Sequence, residues 1–180
     1  MLDLIGDEGV GVDQVEAFNS APAERLRADL HACCAAAGWG AAIETGRPYP
    51  SRTAIVAAAD AASRGLSWAE VLDGLSAHPR IGERATGGSA DAAWSRREQS
   101  AAASSADETT AAALVAANRA YEQRFGHVFL IFASGRSSAE ILAAATERLG
   151  HDEATERAVV ADELRKIALL RLERLLDAGG

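Results

Sequence analysis

Three Ser-x-x-Glu boxes punctuate the chain, at Ser67–Glu70, Ser105–Glu108 and Ser137–Glu140. In such a box the serine oxygen accepts from the amide three residues on, and the glutamate reaches back to the serine amide. Two of the unpaired N–H groups that every helix start exposes are thereby satisfied. Each box opens a run with helical spacing, so local chemistry alone sets three helix starts. Ser20 with Pro22 predicts a helix to about Gly38, Ser51 one to about Gly65, and Ser89 one to about Ser104, with Gly126 and Gly150 as stops. From Asp152 to Asp177, the residues Val160, Leu164, Ile167 and Leu170 form the apolar stripe of a long amphipathic helix. Aromatic residues make up only 5% of the chain, too few for a large strand-built core. The expected fold is an all-α bundle of about eight helices with little or no sheet. A single domain is expected over residues 1–180, because there is no fixed-period repeat and the glycine-rich stretch Gly82–Ala90 is too short to divide the chain. One segment resists assignment: His127-Val-Phe-Leu-Ile-Phe132 fits an extended strand or a buried helix equally well.

Charge narrows the function classes. Acidic groups exceed basic ones, giving a net charge of −8 and a pI near 5.0, so nucleic acid and anionic membrane surfaces are repelled. No window approaches the roughly 20 apolar residues of a membrane span. Cys33 and Cys34 are adjacent, where a mutual disulfide is strained, and read as small buried residues of a reducing compartment. With no basic start and apolar run at the beginning, and no peroxisomal address in Asp177–Gly180, a cytoplasmic protein is expected.

Four histidines are the first candidates for acid–base work. His31 lies in an ordinary helical pattern, His151 stands at a helix start, and His127 adjoins the apolar run. His78 differs because Pro79 disfavours the α conformation at the residue before it, so the helix opened at Ser67 breaks and leaves an imidazole at its end. That ring either faces a cleft or interacts with the helix's terminal carbonyls. On the next predicted helix, Ser95, Glu98 and Gln99 stand at i, i+3 and i+4, which puts a hydroxyl, a carboxylate and an amide on one face beside Arg96 and Arg97. Gly135 frees the backbone before the third box, and Arg136 stands near that helix's N–H groups, as an anion contact or as a solvated loop arginine.

Assembled in order, these residues resemble the 2-oxo-4-hydroxy-4-carboxy-5-ureidoimidazoline (OHCU) decarboxylases of uric acid degradation. The resemblance is carried by His78-Pro79-Arg80-Ile81-Gly82-Glu83, Ser95-Arg96-Arg97-Glu98-Gln99, Tyr121-Glu-Gln-Arg-Phe125-Gly126-His-Val-Phe129, Gly135-Arg136-Ser137, and Arg148-Leu149 followed by Glu156, Glu163, Lys166-Ile167 and Arg171-Leu172. It departs from the family pattern at His127, where an apolar or aromatic residue is usual, and at His151, where asparagine is common.

The resemblance implies an all-helical homodimer that converts OHCU to (S)-allantoin and CO2 without a cofactor or metal. His78 falls on the family's catalytic histidine and Glu98 on its partner carboxylate. Pro79, the segment Ser95–Gln99 with Arg96 and Arg97, and Phe129, Leu130, Ile131, Phe132 and Ala133 fall on substrate-binding parts, the last partly through backbone groups; Arg136 aligns with a motif arginine. The chain itself carries no dinucleotide fingerprint, no metal-spaced Cys/His cluster and a single lysine, Lys166. Two other readings use the same residues: a helical module that binds a purine metabolite without turning it over, and a hydrolase or isomerase acting on a related ureide. An acid–base couple at 78 and 98 favours catalysis over mere binding.

Overall fold

The protein, analysed as a computed structural model, is described over residues 8–81, 94, 97 and 108–178. Among these residues there are eight helices and no strand: α1 (Glu8–Ser20), α2 (Ala23–Cys33), α3 (Ala37–Thr45), α4 (Arg52–Arg64), α5 (Trp68–Ser76), α6 (Glu108–Phe125), α7 (Ser138–Arg148) and α8 (Glu153–Ala178). The all-α expectation holds. The boxes at Ser67 and Ser137 form in full, with Glu70 and Glu140 accepting from the serine amides at 2.8 and 2.7 Å. The Ser51 oxygen accepts from the Ala54 amide at 3.1 Å to start α4. Of the helix predicted over Ser89–Ser104 only Trp94 and Arg97 are described, both helical, and the serine of the Ser105 box lies outside the described residues.

The single helix predicted from Ser20 to Gly38 is two. It closes at Cys33; Cys34 turns extended (φ −151°, ψ 121°), and α3 begins at Ala37. Burial outweighs helix propensity here. The break lets Cys33, Cys34, Ala36 and the whole of Trp39 enter the core, and the Trp39 indole N–H then donates to Ser63 Oγ at 2.9 Å. Burial pushes the two thiols up to about 12 and about 11, as suits small apolar fillers. Gly38 stops nothing: it lies in the first turn of α3, where a Cβ would stand 2.2 Å from Glu70 Oε1. The sequence reading did not anticipate α1, whose last carbonyls are satisfied from a distance. The Arg47 guanidinium donates to Phe18, Asn19 and Ala21 oxygens at 3.3, 3.2 and 2.8 Å.

The terminal helix α8 packs against α1, α2, α4 and α5, while α6 packs against α7. Two cores result. The larger gathers Leu26, Leu30, Trp39, Ile43, Ile55, Val71, Leu75, Val160, Leu164 and Leu172. The smaller gathers Ile81, Leu114, Tyr121 and Ile141 around the non-helical run after Gly126. That run settles the ambiguity of the sequence. Phe129, Ile131 and Ala133 enter the smaller core and Leu130 the larger one, against which Phe132 also packs. A period of two is the mark of extended chain, not helix. The run is a ribbon between two cores.

Two glycines frame it with positive φ, Gly126 (76°) and Gly135 (79°), and a Cβ at either would meet nothing within 4 Å. Only the backbone conformation therefore opposes a side chain there, by about 1–2 kcal/mol. Gly126→Ala and Gly135→Ala are each expected to lower unfolding free energy by about that amount at unchanged m-value, measured by urea denaturation.

Candidate active site

The site residues are placed by the end of α5, by the ribbon, and by α8. Pro79 lacks an amide and its ring excludes the α conformation from His78, so α5 ends at Ser76. The His78 amide donates to Leu75 O at 2.9 Å, and the ring Nδ1 lies 3.1 Å from Gly74 O. A carbonyl can only accept, so Nδ1 carries a proton, and Nε2 is the position at which the ring exchanges one. Nε2 is shielded from bulk water. Of the two arms of the sequence reading, the structure shows the second: a ring nitrogen engages a carbonyl in the last turn of α5.

Gly74 also sets where this helix end sits. A Cβ there would stand 2.7 Å from Leu164 Cδ2 and 3.7 Å from Cys34 Sγ, so α5 approaches α8 by backbone contact at the residue after Glu163. Beyond His78 the chain crosses to the smaller core. Ile81 packs with Phe129 and Ile131, and buried Asn118 donates to Ile81 O at 2.7 Å. Arg80 is engaged by Glu122 through Nε–Oε1 at 2.5 Å and Nη2–Oε2 at 2.9 Å. The Arg80 hydrogen bond holds the Glu122 carboxyl below its ordinary range. A bidentate pair needs only the right register between the loop and α6, which sequence spacing does not reveal.

The ribbon is held along one edge by charged groups. Arg148 Nη1 donates to Leu130 O at 2.8 Å, and its guanidinium lies 4.6 Å from the Phe129 ring centroid. The Phe132 amide donates to Glu163 Oε2 at 2.6 Å, while Glu163 Oε1 accepts from Lys166 Nζ at 2.7 Å. At its end, Arg136 Nε donates to Phe132 O at 3.2 Å and the Arg136 amide to Ala133 O at 3.0 Å. This joins the motif arginine to the ribbon through the Gly135 turn.

Arg148 is anchored by Glu156, which accepts from its Nε at 2.9 Å and Nη2 at 2.5 Å, from the Tyr121 hydroxyl, and contacts His151 Nδ1 at 2.8 Å. Burial acts to raise the Glu156 carboxyl, but the hydrogen bonds from Arg148 and Tyr121 outweigh it and hold the group below its ordinary value. His151 therefore does not cap α8. Asp152 does, accepting from the Thr155 amide at 2.7 Å. His127 stands among Trp68, Tyr121 and Phe125, with ring centroids 5.4–6.2 Å away. It lines a small cleft that Glu156 and Arg157 also border.

Deeper along α8, Arg171 is fully buried, donates to Ala32 O at 3.4 Å, and has its Cζ 6.0 Å from the Trp94 ring centroid. Trp94 packs on the larger core and Arg97 is exposed. Ser95, Arg96, Glu98 and Gln99 lie outside the described residues. The roles of Glu156, Glu163 and Arg171 escaped the sequence reading, although a signal was present. They fall on the same face of α8 as Val160, Leu164 and Ile167, and charged residues in an apolar stripe have partners. A cleft of about 310 Å³ between α1, α2 and the end of α8, lined by Phe18, Pro22, Arg25 and Leu176, contains none of the predicted site residues.

The arrangement is that of an all-α bundle with an imidazole fixed at a helix end and a ribbon whose backbone is braced by buried charges. Residues 19–173 match the model of the OHCU decarboxylase family. The chain is 31% identical over 126 residues to an OHCU decarboxylase from Haloferax volcanii, covering 70% of this chain and 73% of that one. It is 33% identical over 148 residues to the uric acid degradation bifunctional protein TTL of Arabidopsis thaliana, covering 81% of this chain but 45% of that protein, so it spans about half of that relative's length. A crystal structure of OHCU decarboxylase in the presence of (S)-allantoin superposes with a TM-score of 0.71 at 31% identity, over 83% of this chain and 98% of the other. The chain belongs to the OHCU decarboxylase family.

Removing either partner of the Arg148–Glu156 pair strands a buried charge. Arg148→Met is expected to destabilise the fold by about 3–5 kcal/mol. Because the Glu156 carboxyl is depressed in the folded state, its contribution is present above the unfolded carboxylate range and lost as pH falls through the folded value. The difference in unfolding free energy between wild type and Glu156→Gln should therefore shrink from pH 7 to pH 3, read from urea midpoints at both.

Proposed function

We propose that this protein decarboxylates OHCU to (S)-allantoin and CO2 in uric acid degradation, without a cofactor, as a cytoplasmic homodimer. The observation that carries the reading is the His78 ring, fixed at the end of α5 with its Nδ1 on Gly74 O, in a chain that belongs to this family.

Loss of CO2 needs a destination for the electron pair of the breaking C–C bond. In OHCU the neighbouring C=N group accepts it, giving an enol-type intermediate. Protonation of that nitrogen and of the adjacent carbon, with the hydroxyl collapsing to a carbonyl and releasing its proton, completes allantoin with a net uptake of one proton. The substrate carries its own electron sink, so the protein's tasks are orientation, charge stabilisation and proton delivery to one face. His78 is the proposed proton donor, oriented by Glu98 as partner carboxylate. Pro79, Ser95, Arg96, Arg97, Gln99 and the ribbon Phe129–Ala133 are proposed to hold the ring and ureido groups. Arg136, tied to Phe132 O, is proposed as the contact for the substrate's carboxylate, against the protein's net charge of −8.

His78→Ala is expected to lower kcat/KM for freshly generated OHCU by about 10²–10⁴, the usual contribution of a positioned acid or base; an unchanged rate excludes His78 from the chemistry. Arg136→Gln is expected to raise KM and to weaken its dependence on salt, and an unchanged KM removes Arg136 from the site.

A further inference from the structure

The ribbon offers the proposed site an edge that the bracing charges make more polar. A trans peptide directs its C=O and N–H to opposite sides, and in extended chain the N–H and C=O of one residue leave by the same edge. The Leu130 carbonyl and the Phe132 amide, held by Arg148 and Glu163, flank Ile131. The Ile131 N–H shares a peptide with the Leu130 carbonyl, and the Ile131 C=O shares one with the Phe132 amide. Both Ile131 groups therefore leave by the opposite edge, and among the described residues neither has a hydrogen-bond partner.

Each of these peptides has a full charge at its far end. A guanidinium on the Leu130 carbonyl draws electrons from that peptide and makes the Ile131 N–H a stronger donor. A carboxylate on the Phe132 amide pushes electrons into the next one and makes the Ile131 C=O a stronger acceptor. A donor and an acceptor side by side match an H–N–C=O group, such as one arm of a urea or a ring lactam.

We propose that Glu163 and Arg148 are positioning residues that, from the far side of the ribbon, fix and polarise the Ile131 N–H and C=O as a docking edge for the H–N–C=O group of the substrate. This deepens the reading above and rests on it for the identity of the substrate. Glu163 reaches the ribbon directly. Arg148 is in turn held by Glu156, two helical turns before Glu163 on α8, so one helix carries both carboxylates.

The test compares wild type, Glu163→Gln and Glu163→Ala in turnover of OHCU and in calorimetric binding of hydantoin and 1,3-dimethylhydantoin. The edge contributes alike to ground and transition states, so Glu163→Ala should raise KM about tenfold with little change in kcat. Hydantoin should weaken by a similar factor. Glu163→Gln, which keeps an acceptor but loses the charge, should recover part of the loss. Dimethylhydantoin, lacking the N–H, should bind poorly to all three.

Loss of kcat and thermal stability together, with KM unchanged and no recovery in Glu163→Gln, would reduce Glu163 to a structural role and overturn the proposal. If Glu163→Ala does not fold, Glu163→Gln against wild type decides alone: a KM and hydantoin affinity equal to wild type overturn it. Hydantoin binding that follows residue 163 in a protein that leaves OHCU untouched would sustain the edge while refuting the decarboxylase reading.

Discussion

A helix that carries carboxylates on its buried face must find them partners, and in this protein that requirement organises the site. Glu156 and Glu163 both lie within the bundle on α8. Neither can be left unpaired there without several kcal/mol of desolvation. Glu163 is satisfied by the Phe132 amide and Lys166, and Glu156 by Arg148, Tyr121 and His151. Two of these partners belong to, or hold, the ribbon Phe129–Ala133. The charges that would be a liability in the core become the means of fixing a stretch of chain that no sheet supports.

Spacing explains why one carboxylate acts directly and the other through an arginine. Seven residues of helix separate Glu156 from Glu163 by about 10 Å, whereas Leu130 and Phe132 are about 6–7 Å apart in extended chain. A glutamate cannot span the difference. Arg148, at the end of α7, does so, and stacks on Phe129 while it does. The same helix receives the end of α5 at Leu164, where Gly74 permits backbone approach. The placement of His78 and the bracing of the ribbon therefore trace to consecutive residues of α8.

Local chemistry made much of this legible in advance. The capping boxes at Ser67 and Ser137, the Pro79 break and the Val160, Leu164 and Ile167 stripe of α8 are short-range signals, and the structure forms each of them. The division of α2 from α3 was not legible, because the gain from burying Cys34, Ala36 and Trp39 depends on what surrounds them. The ribbon was ambiguous for a similar reason: alternation appears only once there are two cores to alternate between. The Arg80–Glu122 pair was not legible either, because it depends on the register between the loop and α6. Of the residues singled out for chemistry, His78 and Pro79 stand at the end of α5, and Arg136 is tied to the ribbon through the Gly135 turn. Glu163 and Arg148 had been noticed only as motif letters, since their task is tertiary.

The central proposal is that the substrate is held by His78 and the Ile131 edge. A crystal structure of this protein with (S)-allantoin tests it most directly. The account predicts the ligand with an H–N–C=O group paired to the Ile131 backbone and His78 Nε2 within hydrogen-bond distance of its ring. Allantoin lodged instead in the cleft between α1 and α2, with the Ile131 edge untouched, would contradict it.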